Sequence, residues 1–241
     1  MVLKMEDYNI YNWYVFGDSI SKGIVYDEVK NKYEITDDNF VNILANRYDA
    51  EVQNFSVFGA TINKGLNVFS RNQKKLEKNG IAILHFGGND CDFTWSEVAK
   101  TPNIEHLPNT PPAEFKKKYI ELINKLKKLS LQPVLLNLPP LDPKRYFDTF
   151  SKNLNKENLL AFLGGSVKRI YQWHESYSND IAEIAIEAQS IFINCRDAIL
   201  QKLHPEDYLC FDGIHPNNEG YSLIADMIYD KTKIYFEKEN L

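Results

Sequence analysis

The chain has 241 residues, 44% of them hydrophobic and 25% charged, which is enough to bury one sizeable core, so a single domain spanning 1–241 is expected. A formal net charge of -5 and a pI of about 5.6 argue against nucleic acid or an anionic membrane surface as the main partner, since both demand clustered Lys and Arg. No uncharged apolar run reaches the ~18 residues of a membrane span. Glu6 and Asp7 stand where a leader would need apolar residues, and the three cysteines, Cys91, Cys195 and Cys210, have no metal spacing and read as reduced thiols of a cytoplasmic protein.

Short apolar runs that end in glycine or polar residues recur in chain order at Trp13 to Phe16, Glu51 to Phe55, Ile81 to Phe86, Pro133 to Leu138 and Ile191 to Asn194, and read as five buried strands. Between the third and fourth, Phe115, Tyr119, Leu122, Ile123, Leu126 and Leu129 make one continuous helical face. A last helix is expected over Asn218 to Phe236, with Tyr221, Ile224, Ala225, Ile228 and Tyr229 on one face. Strand and helix alternate, which predicts an α/β fold with a parallel sheet covered by helices on both faces. Two Pro-containing segments, 91–112 and 139–177, look less regular and are expected to form a lid or pocket wall.

In such sheets the active groups gather at the carboxyl ends of the strands. Gly17-Asp18-Ser19-Ile20 follows the first strand, Asn54 to Gly59 the second, and Gly87-Gly88-Asn89-Asp90 the third, while Asp212-Gly213-Ile214-His215 precedes the last helix. A serine hydroxyl needs a base, and the base needs an orienting group, so Ser19, His215 and Asp212 make a candidate catalytic triad. The backbone N–H of Ser19 at a helix start, a close backbone approach at Gly59 and the amide of Asn89 would stabilise an oxyanion. Phe93, Trp95, Trp173 and His174 are candidate pocket residues. His85, inside an apolar strand, reads as a satisfied core histidine, and His106 and His204 read as exposed loop residues.

These four blocks resemble those of the GDSL esterases and lipases, also called SGNH hydrolases, with Ile20 in place of the usual Leu, and the resemblance covers nearly the whole chain. It implies a flavodoxin-like three-layer α/β/α sandwich with a five-stranded parallel sheet. It also implies Ser19 as nucleophile and first oxyanion donor, Gly59 and Asn89 as the other donors, His215 as base and Asp212 as its partner. No metal and no organic cofactor are implied; the partners are a small-molecule ester and water. Acetylated carbohydrates or other short acyl esters are the expected substrates, with a lysophospholipase or acyl thioesterase as the alternative on the same site. Two other classes remain. A metallophosphoesterase would use Asp18, Asn89, Asp90, Asp92 and His215 as ligands, but the chain lacks an Asp-x-His pair. A non-catalytic carbohydrate-binding domain would have no need of both Ser19 and the Asp212–His215 pair.

Overall fold

The computed structural model describes residues 11–236. The leader reading at Glu6 and Asp7, and both ends of the expected 1–241 domain, lie outside the described residues. The elements run β1 (Asn12–Gly17), α1 (Ser19–Lys22), β2 (Ile24–Asp27), β3 (Lys32–Ile35), α2 (Phe40–Tyr48), β4 (Glu51–Asn54), α3 (Ile62–Asn72) and β5 (Ile81–His85). They continue with α4 (Trp95–Val98), α5 (Pro112–Lys128), β6 (Gln132–Leu136), α6 (Pro143–Phe150), α7 (Lys156–Phe162), α8 (Lys168–Glu187), β7 (Ile191–Ile193), α9 (Asp197–Leu200) and α10 (Asn218–Phe236).

Five of the strands form one parallel sheet in the order β4-β1-β5-β6-β7. This is the 2-1-3-4-5 winding of flavodoxin-like folds, and the strand order reverses at β1. A crevice therefore opens beyond the carboxyl ends of β1 and β5, where Ser19 and Asn89 follow. The five strands and the helices at 112–128 and 218–236 occur where the apolar pattern predicts them. The antiparallel hairpin β2–β3 does not appear in that pattern, because its second strand is mostly exposed and carries Lys32 and Glu34.

Alternation along each strand divides the core into two layers. Tyr14, Phe16, Ala82, Leu84 and Leu135 face α3, α5 and α8 through residues such as Phe69, Tyr119, Leu122 and Ile181. Trp13, Val15, Ile81, Ile83 and Val134 face α2, α9 and α10 through Phe40, Leu44, Ile199 and Ile224. Each fully buried side chain of this size contributes about 1.5–3 kcal/mol relative to exposure. A one-residue slip in register would reverse both faces at once.

The segment 139–177, expected to be irregular, is largely helical, since α6, α7 and the first half of α8 occupy it. Its start carries helix punctuation: Asp142 caps α6 by accepting from Lys144 N and Arg145 N, and Pro143 takes the first turn, where no N–H is needed. Segment 91–112 is mostly loop, with only α4 inside it. The two segments pack on each other in a third apolar cluster built on Phe93, Trp95, Val98, Leu141, Phe147, Leu159 and Ile170. That cluster stands over the carboxyl edge of the sheet and walls the crevice.

Candidate active site

Ser19 is the first residue of a four-residue helix whose N-cap is Asp18; the Asp18 carboxylate accepts from Ile20 N at 3.0 Å. Gly17 is required there by space, since a Cβ would stand 2.6 Å from Ser21 Oγ and 2.9 Å from the His85 carbonyl oxygen. The chain can therefore turn sharply from β1 into α1 and lift Ser19 above the sheet. The backbone N–H of Ser19 has no partner among the described residues. Asn54 bolts the neighbouring loop in place, donating to Ser21 O at 2.8 Å and accepting from Ser56 N at 3.0 Å.

Asp212, Ser19 and His215 are brought together although 196 residues separate Ser19 from His215. His215 Nε2 lies 2.9 Å from Ser19 Oγ, and His215 Nδ1 lies 2.6 Å from Asp212 Oδ2. A carboxylate only accepts, so Nδ1 carries a proton and Nε2 is left to accept the Ser19 hydroxyl proton. Asp212 Oδ1 takes the backbone N–H groups of Ile214 and His215, both at 3.1 Å, which fixes the turn itself. Burial would raise the Asp212 carboxyl, but these bonds and the His215 partner outweigh it and hold the group below the usual aspartate range. Gly213, at φ +77°, sits against α6, where a Cβ would stand 2.8 Å from Asp142 O.

The Tyr33 ring, carried by the hairpin, meets the His215 imidazole edge-on at 5.3 Å, and Phe58 stacks on it at 6.1 Å. Neither contact was anticipated. Phe58 belongs to the loop that presents Gly59, and the hairpin itself left no clear sequence signal.

The remaining candidate residues fall into two groups. Asn89, Trp95, Trp173 and His174 line a cavity of about 70 Å³ that also contacts Ser19 and His215. Asn89 Nδ2 makes two long hydrogen bonds of 3.3 Å, to Asp18 Oδ2 and to Ala60 O. Gly59 is exposed, at φ +69°, and does not line this cavity, although its neighbour Ala60 is the residue that meets Asn89. Phe93 does not line the cavity either: its ring lies behind the wall, 4.8 Å from Trp173 and 5.5 Å from Trp95. Phe162 packs edge-on against the same ring at 5.4 Å.

One wall residue went unrecognised in this role. Asp92, read from sequence only as a possible metal ligand, lines the cavity and takes hydrogen bonds from Trp95 Nε1 at 2.7 Å and Tyr146 Oη at 2.6 Å. Burial raises its carboxyl above the usual range in spite of these donors. Tyr146 is its partner from α6. Cys91 also lines the cavity, but burial pushes its thiol well above the usual range, so it is a poor nucleophile. His85 is buried but not satisfied: among the described residues neither ring nitrogen has a hydrogen bond, and the Asp18 carboxylate lies 3.5 Å from Nδ1. His204 is exposed and His106 half-buried. Among the described residues, no group of three or more His, Cys, Asp or Glu is placed to hold a metal ion. No described helix is long and apolar enough to cross a membrane.

A serine, a histidine and a buried carboxylate in hydrogen-bonded series, at the crevice of a doubly wound sheet, define the class of serine hydrolases. The sequence profile of the GDSL-like Lipase/Acylhydrolase family matches residues 15–223, so the chain belongs to that family and is a carboxylic ester hydrolase. A search of curated proteins by sequence finds no match. Among solved structures, a lipase/acylhydrolase from Enterococcus faecalis superposes with a TM-score of 0.64 at 18% identity, covering 93% of this chain and 96% of that one. The psychrotrophic esterase EstA from Pseudoalteromonas sp. gives 0.61 at 16% identity over 94% and 99% of the two chains. A catalytic mutant of an acetylxylan esterase from Geobacillus stearothermophilus gives 0.60 at 15% identity over 93% and 94%. At these identities the likeness establishes a shared fold.

Proposed function

We propose that the protein hydrolyses short acyl esters, acetyl to butyryl, such as acetylated carbohydrates or small metabolites, through an acyl-enzyme on Ser19. The observation that carries this reading is the Asp212–His215–Ser19 hydrogen-bonded series opening onto a cavity of only about 70 Å³. One water-sized group needs about 10–15 Å³ of cavity, so this one holds on the order of five, the size of a short acyl group.

Ser19 Oγ attacks the ester carbonyl as its proton passes to His215 Nε2, and Asp212 stabilises the imidazolium that results. The tetrahedral oxyanion takes hydrogen bonds from the Ser19 backbone N–H, from Gly59 N–H and from Asn89 Nδ2, whose two resting bonds are long enough to be exchanged readily. His215 then protonates the departing alkoxide as the C–O bond breaks. A water deprotonated by His215 attacks the acyl-enzyme, and Ser19 leaves with the returned proton. Every group needed is a side chain or backbone amide, and no metal or organic cofactor enters. The three cysteines, buried and unpaired, support a reducing compartment, the cytoplasm.

A series of p-nitrophenyl esters from acetyl to dodecanoyl tests the acyl range. In an open apolar pocket each added methylene is worth about 0.8 kcal/mol and would raise kcat/KM several-fold. With Trp95 and Trp173 closing the wall, the gain stops by four carbons and then reverses. Activity that keeps climbing from butyryl to decanoyl would replace this reading with a lysophospholipase or long-chain thioesterase.

A further inference from the structure

Two polar groups on the cavity wall take no part in ester cleavage. His174, on α8, is 6% exposed, and its Nδ1 lies 3.4 Å from Arg196 Nη1. A guanidinium only donates, so Nδ1 accepts and the imidazole proton resides on Nε2. Nε2 has no partner among the described residues, and the ring lines the Ser19 cavity.

Arg196 is itself fixed. It is 5% exposed, donates from Nη1 to Leu138 O at 3.2 Å, lies over the Tyr171 ring at 4.8 Å and pairs with Glu175 at 3.7 Å. Burial, with the Arg196 charge adding, holds His174 well below the ordinary histidine range, so it stays a neutral donor. The second group is Asp92. Trp95 and Tyr146 each occupy one of its oxygens, which leaves a lone pair on each for a further donor.

We propose that His174 and Asp92 form a hydroxyl-recognition subsite beside Ser19, so that the preferred esters carry a free hydroxyl near the scissile bond. The subsite rests on the esterase reading above. A hydroxyl both accepts and donates, so it can take the His174 Nε2 proton and give its own to Asp92. An aliphatic group in its place leaves a buried donor unpaired, which is the condition under which a site rejects an analogue most strongly. Arg196 is a positioning residue, acting through the tautomer of His174.

Two matched pairs test the subsite and separate the sources of the hydroxyl. On the acyl side, p-nitrophenyl 3-hydroxybutyrate is compared with the butyrate; on the alcohol side, glycerol monoacetate is compared with propyl acetate. The wild type should favour the hydroxylated ester in one arm by at least about tenfold in kcat/KM. His174→Phe, Asp92→Leu and Arg196→Met should each bring that ratio towards one, and Arg196→Lys, which keeps a cationic donor, should preserve it. A wild-type ratio near one in both arms, with p-nitrophenyl acetate still hydrolysed, overturns the subsite and leaves the esterase standing. A strong ratio that survives His174→Phe and Asp92→Leu overturns the residue assignment. Failure to hydrolyse p-nitrophenyl acetate or either acetate overturns the short-acyl reading, and the subsite with it. If the substitutions unfold the chain, the wild-type ratio decides.

Discussion

Ser19 and Ser21 are two residues apart and differ in everything a nucleophile needs. Ser19 Oγ meets His215 Nε2 at 2.9 Å, whereas Ser21 is fully buried beneath Gly17, with no partner for its hydroxyl among the described residues. Ser19→Ala should abolish ester turnover, Ser21→Ala should retain most of it, and a fluorophosphonate probe should label Ser19 only; label on Ser21 would reverse the assignment. Asn89 is the side chain proposed as the other oxyanion donor. Its amide is uncharged, so it can stabilise an oxyanion without disturbing the proton balance of His215. Asn89→Ala should lower kcat by about 10²–10³ with little change in KM. An effect confined to KM would make Asn89 a ground-state contact instead.

Between elements, Asp90 ties the loop after β5 to the start of α3, with its two oxygens 3.0 and 3.2 Å from Ile62 N. Burial, with the Asp18 carboxylate adding, raises its carboxyl from 3.8 to about 7 against the backbone bond that favours the charge. Folded Asp90 therefore keeps a proton that the unfolded chain releases near pH 4, and its contribution to stability falls as pH rises from about 4 to 7. Asp212 acts in the opposite sense and lower down: its carboxyl is held below 3.8, so the stability it lends is complete above that value and lost as pH falls beneath it. Asp90→Asn keeps an acceptor for Ile62 and removes the titration. Denaturant melts across pH 4 to 7 should show the wild type gaining stability relative to this variant as pH falls. A constant difference would refute the account.

For the molecule as a whole, the two core layers lie against the sheet, and the third cluster lies beyond its edge, made by 91–112 and 139–177 against each other. The pocket wall therefore draws its stability from contacts largely separate from those of the sheet, and loosening it leaves the sheet intact. Leu159, fully buried in that cluster, is a suitable probe. Leu159→Ala should cost about 2–5 kcal/mol locally. Hydrogen exchange should then rise across α6 and α7 while the amides of β5 and β6 keep their protection. Equal loss of protection in the sheet would mean that wall and sheet unfold as one unit.

The sequence by itself determined the five sheet strands, the helices α5 and α10, the parallel α/β architecture and the order of the four loop blocks. Strand alternation, helical period and turn residues are local properties, and a parallel sheet carries the loops after its strands to one rim whatever the side chains beyond them. The space that requires Gly17 and the positive φ of Gly213 came only with the structure. Only the tertiary structure decided the wall. Asp92 meets Tyr146 across 54 residues and His174 meets Arg196 across 22, and no periodic pattern says which distant side chains share a cavity. Phe93 and Trp95, two residues apart, read alike in sequence, yet one packs behind the wall and the other lines it. The β2–β3 hairpin stayed hidden because strand alternation becomes visible only where one face is buried, and its outer strand is exposed except at half-buried Glu34, even where the Tyr33 ring meets His215.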